Sequence, residues 1–257
     1  MTETVAVFAE PSPVVRRVPI DRPWAWLAAG WQDLRQAAAV SLVYGLGIIL
    51  ASALLLLVLV AGGRSALILP LGAGFLLVAP LLAAGLYETS RRLRAGLPVS
   101  LAAALAGFRA NASQIGLMGL LLLLLHLAWL RIAFLLFALL VGDSPADLDR
   151  VVTEVLLTRR GLPLLVVGTA VGGVLAVVTF VISAVSIPML LDRDVNVFTA
   201  VATSFVAVRA NPATMALWAA IIAACTIFGL ATLTLGLAIV LPLLGHASWH
   251  AYRDLVA

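Results

Sequence analysis

The sequence predicts an all-α fold: a polytopic membrane helix bundle of six transmembrane helices, forming three repeated hairpins, each preceded by an interfacial amphipathic helix. Three observations predict it. The 257 residues are 63% hydrophobic and 11% charged, where soluble domains run at roughly 45–50% apolar and about 25% charged. With a mean hydropathy of +1.16, the chain carries more apolar surface than a water-soluble core of this length can hide. Several apolar runs also reach the ~20 residues that a spanning helix needs, and one pattern, an apolar stripe ending in arginine, occurs three times.

Met1 to about Asp21, with Pro11, Pro13 and Pro19, reads as a flexible cytoplasmic tail; it has neither a continuous apolar core nor a small-residue cleavage site, so no cleaved signal peptide is expected. Residues 22–257 read as a single transmembrane domain with repeat units of about 22–94, 95–193 and 194–257. Residues 38–61 form the first span. Gly62-Gly63-Arg64 turns the chain, and residues 66–87 return through Pro70 and Pro80. Residues 115–141 and 162–191 are the third and fourth spans. Between them, loop 142–161 carries Leu148, Val151, Val152, Val155 and Leu156 at helical spacing, which predicts a short amphipathic helix on the outer surface. The last apolar stretch, 214–250, is too long for one helix and tight for two. A split near Gly229 to Thr232 gives two short spans, and one long kinked helix is the alternative.

Arginine supplies all 16 basic residues. Eleven precede the first span or follow the even-numbered ones: Arg16, Arg17, Arg22, Arg35, Arg91, Arg92, Arg94, Arg109, Arg193, Arg209 and Arg253. Arg64, Arg150, Arg159 and Arg160 lie on the other side. The richer side is expected to be cytoplasmic, with both termini on it. The net charge of +4 and a pI near 10.2 come from arginines in short loops beside apolar runs, a pattern of membrane orientation; no nucleic-acid partner is expected.

The repeated stripe is Trp24, Leu27, Trp31, Leu34 and Arg35, then Pro98, Leu101, Leu105, Phe108 and Arg109, then Phe198, Val201, Phe205, Val208 and Arg209. Each set has apolar residues at i, i+3, i+7 and i+10. The remaining faces are too polar to span, so each helix is expected in the headgroup plane with its arginine near lipid phosphate. Arg109-Ala110-Asn111 recurs as Arg209-Ala210-Asn211-Pro212, where the chain turns from the surface into the membrane. Each unit later carries Pro80, Pro188 or Pro242, and Tyr87 aligns with Trp249 as a further interfacial anchor.

Arg22-Pro23-Trp24, Gly30-Trp31-Gln32-Asp33-Leu34-Arg35, Pro80-Leu81-Leu82 with Tyr87, Ala128-Trp129-Leu130-Arg131 and Pro242-Leu243-Leu244-Gly245-His246 together resemble an uncharacterised family of bacterial integral membrane proteins. Over about residues 16–257 the resemblance implies a bacterial inner-membrane protein and supplies no catalytic residues. Some members are loosely labelled cytochrome c oxidase subunits. A haem–copper oxidase core resembles a twelve-span protein with six ligand histidines, whereas this chain has three, His126, His246 and His250; an accessory or assembly role is what the label leaves. Arg35-Gln36-Ala37-Ala38 departs from Arg-Ala-Asn-Pro at the first corner.

Two clusters carry candidate chemistry. Arg131 is a formal charge well inside a span, with His126 and Trp129 near it in sequence. It reads as an anion or substrate contact, as a structural arginine on carbonyls freed by prolines, or as an arginine snorkelling outward. His246, His250 and Asp254 fall at i, i+4 and i+8 on one helical face, the spacing for a metal or haem ligand set and equally for interfacial polar residues. Glu88, Asp192 and Asp194 are expected to be solvated at the cytoplasmic ends of spans. The fourth span has Gly168, Gly172, Ala176, Thr179 and Ser183 on one face, read as a packing face or a dimer seam. The lone Cys225 allows no intramolecular disulfide. No cofactor is assigned. The sequence thus predicts a non-enzymatic accessory, assembly or membrane-organising component, in contact with the lipid bilayer and with a membrane-protein partner or a second copy. A transporter or channel using Arg131 is the alternative, and metal or haem binding through His246 and His250 a further one.

Overall fold

The computed structural model describes residues 13–142 and 159–257. Twelve α-helices account for most of them. We number these α1 (Arg22–Gln36), α2 (Ala38–Ala61), α3 (Ile68–Ala73), α4 (Phe75–Leu82), α5 (Ala84–Arg94), α6 (Leu101–Ala106), α7 (Ala112–Leu140), α8 (Leu162–Ser183), α9 (Ser186–Asp192), α10 (Val197–Ala210), α11 (Pro212–Ala231) and α12 (Leu237–Leu255). A 3₁₀ turn, Gly107–Arg109, extends α6. The amphipathic helix expected at 142–161 lies, apart from its ends, outside the described residues.

Among the described residues, four segments are long and apolar enough to cross a bilayer: α2, α7, α8 with α9 (Leu162–Asp192), and α11. A fifth arises if Ser65–Ala73 and Phe75–Arg94, bent by 64°, count as one. The bend falls where Pro70, Gly74 and Pro80 interrupt the ladder. In hydrocarbon a free carbonyl has no water to turn to, and side chains take the place of water here. Trp129 Nε1 donates to the Pro70 carbonyl at 2.8 Å and His126 Nδ1 to that of Gly74 at 3.1 Å. The Tyr44 hydroxyl donates to the Leu82 carbonyl at 2.6 Å, and that of Tyr87 to the Pro80 carbonyl at 3.3 Å. The stretch 214–250 resolves into two helices: the chain reverses between α11 and α12 through Leu233 and Thr234, both at positive φ, with the Thr232 hydroxyl donating to the Gly229 carbonyl at 2.9 Å.

The core is formed by the ends of the return segments, α5, α9 and α12, which contact one another. Leu86, Ile187, Met189, Leu190, Trp249 and Tyr252 are buried there. Tyr87 and Trp249, expected as interfacial anchors, are 4% and 1% exposed and belong to this core. An aromatic near the end of a helix meets neighbouring helices or headgroups according to its face, and both of these face inward.

Three helices lie across that core. Helix α1 sits on α12 so closely that a Cβ at Gly30 would stand 2.6 Å from the Ala247 backbone nitrogen. The α6 segment sits on α5, where a Cβ at Gly107 would come 2.8 Å from Glu88 Cβ. Helix α10 sits on the α8–α9 break: the Ser204 hydroxyl donates to the Val181 carbonyl at 2.7 Å and accepts from the Val185 amide at 3.2 Å. The outer faces carry Trp24, Trp31, Leu105, Phe198 and Phe205, all exposed, with Arg35, Arg109 and Arg209 exposed at the helix ends. The predicted stripe therefore divides, since Leu34 turns inward.

The segment before α1, expected to be a flexible tail, is fastened over its described part. Val15 pairs antiparallel with Val256, and the Arg16 amide donates to the Leu255 carbonyl at 2.8 Å. Asn211 accepts from the Val18 amide at 2.8 Å and donates to the Arg16 carbonyl at 3.0 Å. Asn111 does the same for another helix, donating to the Val195 carbonyl just before α10 at 2.9 Å. At the first corner Ala37 stands in this place and offers no such clasp.

Candidate functional site

The seam between α1 and α12 gathers the buried polar groups. On α12, His246 and His250 are one turn apart with Asp254 a turn further. On α1, Arg22, Trp26, Gly30 and Asp33 run along the face opposite Trp24 and Trp31. Arg22 Nε and Trp26 Nε1 both donate to Asp254 Oδ2, at 2.7 and 2.9 Å. This hydrogen bond raises the Arg22 guanidinium above its ordinary pKa, outweighing the opposing effect of burial.

Further along, Asp33, 9% exposed, accepts from the Ser90 hydroxyl at 2.6 Å and from His250 Nε2 at 2.8 Å. His246 is fully buried between Ser90 Oγ, 2.8 Å from Nδ1, and Ser41 Oγ, 2.9 Å from Nε2. Because the single Ser90 proton goes to the Asp33 carboxylate, Ser90 Oγ accepts from His246 Nδ1–H, and Nε2 accepts from the Ser41 hydroxyl. Proton direction is thus fixed along Ser41, His246, Ser90 and Asp33, and the network ties α1, α2, α5 and α12 together. Ser41 beside an oriented imidazole has the polarity of a nucleophile and its base, but Ser41 is 0% exposed and no substrate carbonyl has room to approach.

The structure places the predicted residues differently from the sequence reading. His246, His250 and Asp254 do share a face, but each is engaged by a different protein group instead of by one ion. Among the described residues no group of three or more His, Cys, Asp or Glu is arranged to hold a metal ion. Arg131 and His126 are not brought together: His126 is buried against the Gly74 carbonyl, while Arg131 is exposed on the outer side of α7. The carbonyls freed at the bend are served by His126 and Trp129, not by arginine. Glu88 is not solvated: 4% exposed, it is held by Arg91 at 2.7 and 2.9 Å. Asp192 is partly exposed and accepts from Tyr252 at 2.8 Å and Arg253 at 3.0 Å, while Asp194 is exposed.

Asp33, Ser41 and Ser90 escaped the sequence reading. The available signal was the second periodicity of α1, polar or small at 22, 30 and 33 with Trp26 between them, which matches the polar face of α12.

The small-residue face of α8 borders two cavities. One, of about 310 Å³, is lined by Tyr87, Thr179, Ser183, Thr226 and Ser248 among apolar side chains. The other, of about 650 Å³, reaches Leu164 and is bordered by Trp129. Leu76, Ala176 and Ala223 line both, and Arg131 lines neither.

An all-helical chain with several bilayer-length apolar helices and polar groups folded inward is an integral membrane protein. Residues 68–192 match the family described as "Predicted integral membrane protein (DUF2189)", a membrane domain of unknown function. The match runs from the start of α3 to the end of α9. No curated protein and no solved structure matches the chain.

Proposed function

We propose that the chain is a non-enzymatic component of a bacterial inner membrane, an accessory, assembly or membrane-organising protein that acts through its surface. One observation carries this reading. The buried carboxylate and imidazole side chains among the described residues, Asp33, Glu88, His126 and His246, are all bonded to protein groups, while large aromatic side chains stand exposed on the surface helices. Polar groups spent on holding helices together are not free to conduct or transform a solute. Trp24, Trp31, Phe198 and Phe205, flanked by Arg35 and Arg209, suit the headgroup plane and the side of a partner membrane protein.

The topology we infer is six crossings with both ends in the cytoplasm, in three hairpins introduced by α1, α6 and α10. The antiparallel pairing of Val15 with Val256 supports it, because two ends that pair lie on one side and an odd number of spans would separate them. Helix α12 then crosses as the sixth, its apolar half, Leu237–Leu244, outward and its polar half under α1. The excess of arginine on the side of the termini supports a cytoplasmic assignment.

The test is reconstitution of the purified chain alone in proteoliposomes. Permeability to protons and small anions equal to that of empty vesicles is expected. Solute uptake that Arg131→Gln abolishes would replace the accessory reading with the transport one.

A further inference from the structure

We propose that the cleft beside α8 is an intramolecular lipid site, which takes one acyl chain of a bilayer glycerolipid and hydrogen bonds its ester carbonyl through Thr179 and Ser183. The inference rests on the cavity lining and on the headgroup-plane placement of the surface helices in the topology proposed above, and does not depend on the accessory role.

Ser and Thr inside helices ordinarily donate to the carbonyl one turn back. Thr89 does so to Gly85, Thr203 to Thr199 and Ser248 to Leu244, at 2.7–2.8 Å. Thr179 and Ser183 do not. Each is 2% exposed, both line the smaller cavity, and neither hydroxyl has a partner among the described residues. A buried hydroxyl without a partner is destabilising unless something unseen accepts from it. Two such donors one turn apart on one face suit a single acceptor oxygen or a pair of them.

The cavity also sets the rest of the ligand. No charged side chain lines it or its neighbour, so the inserted part is uncharged. The two cavities are neighbours that share Leu76, Ala176 and Ala223 in their linings, and from Ser183 to Leu164 the helix rises ~28 Å, the length of a whole acyl chain. The smaller cavity carries most of the hydroxyls, from Tyr87, Thr179, Ser183, Thr226 and Ser248, while the larger has Thr169 and Trp129 among otherwise apolar side chains. Depth selects the source. Ser204 of α10 bonds Val181 and Val185, which puts Ser183 directly beneath the surface-helix layer. Helices lying in the headgroup plane bring that level to the glycerol ester carbonyls, with the phosphate outside the uncharged cleft.

The experiment is native mass spectrometry of the full chain, extracted in mild detergent and exchanged into nanodiscs of phosphatidylglycerol and phosphatidylethanolamine, with bound species released and identified. One glycerolipid per chain is expected to survive delipidation. The Thr179→Val, Ser183→Ala double variant removes only hydroxyls that bond nothing in the protein, so its melting temperature should not fall, while retained lipid drops roughly tenfold. Ala176→Leu, at the waist between the cavities, should expel the chain with both hydroxyls intact. Equal lipid on all three proteins overturns the proposal, as does a wild-type chain carrying no lipid or an isoprenoid carbonyl compound in its place.

Discussion

Replacing Asp33 with alanine is the sharpest perturbation of the polar seam. The carboxylate accepts two hydrogen bonds, at 2.6 Å from Ser90 and 2.8 Å from His250, and is 9% exposed. Hydrogen bonds to a charged group contribute about 1.5–3 kcal/mol each, so the gross loss is about 3–6 kcal/mol. Two effects reduce it: a buried carboxylate no longer has to be desolvated, and His250, with 22% of its side chain exposed, finds water again. Ser90 does not, being 1% exposed, and its hydroxyl loses an acceptor beside a buried histidine. The net expectation is a destabilisation of about 3 kcal/mol, at the lower end of what breaking a buried pair costs. Ser90→Ala should cost about 2 kcal/mol, and the double variant should fall short of the sum by about 1 kcal/mol or more, since both remove one contact. The assay is equilibrium unfolding in mixed micelles titrated with dodecyl sulfate, followed by tryptophan fluorescence. Trp26, bonded to Asp254 on the same seam, serves as a local reporter. Asp33→Ala within about 0.5 kcal/mol of wild type, with unchanged hydrogen exchange in α1, would refute the view that this network holds α1 to the bundle.

Three further outcomes follow from the same geometry. Gly30→Ala should destabilise by about 3 kcal/mol, because the new Cβ meets Ala247 backbone atoms that cannot rotate away; Gly47→Ala, with nothing within 4 Å, is the control and should be neutral or slightly stabilising in the same unfolding titration. Asn211→Ala removes the clasp on residues 16–18 and should cost about 2 kcal/mol, seen as faster exchange of the Val18 amide and easier tryptic cleavage at Arg16 and Arg17. Single cysteines at Gly63 and Gly96, both exposed at positive φ in turns, should be modified by a membrane-impermeant maleimide from opposite sides, Gly63→Cys in intact cells and Gly96→Cys only after lysis.

The sequence made the helices legible because hydrophobic run length is a local property. It also made the corners legible at Asn111 and Asn211, where a helix-ending residue precedes a fresh apolar run. The face shared by His246, His250 and Asp254 was readable by counting, but its meaning was not. Spacing says which residues lie together on one helix and nothing about what lies opposite, and Arg22, Trp26 and Asp33 opposite turn a metal-like stripe into a helix seam. The same gap explains Tyr87 and Trp249, whose residue types suit an interface as well as a core, and Arg131, whose position in a span gave its depth but not its direction. The cleft was the least readable feature: Gly168, Gly172 and Ala176 have the spacing of close helix packing, and only the positions of α4, α7 and α11 leave that face open.

The proposed role has this bundle working through its surface, with a partner, and not through its interior. Native mass spectrometry of the chain released gently from its own membrane tests that most directly. A stoichiometric complex with another membrane protein is expected, lost when Trp24, Trp31, Phe198 and Phe205 are replaced by glutamine and the fold is intact. A lone chain that carries only lipid, and that transports a solute once reconstituted, would contradict it.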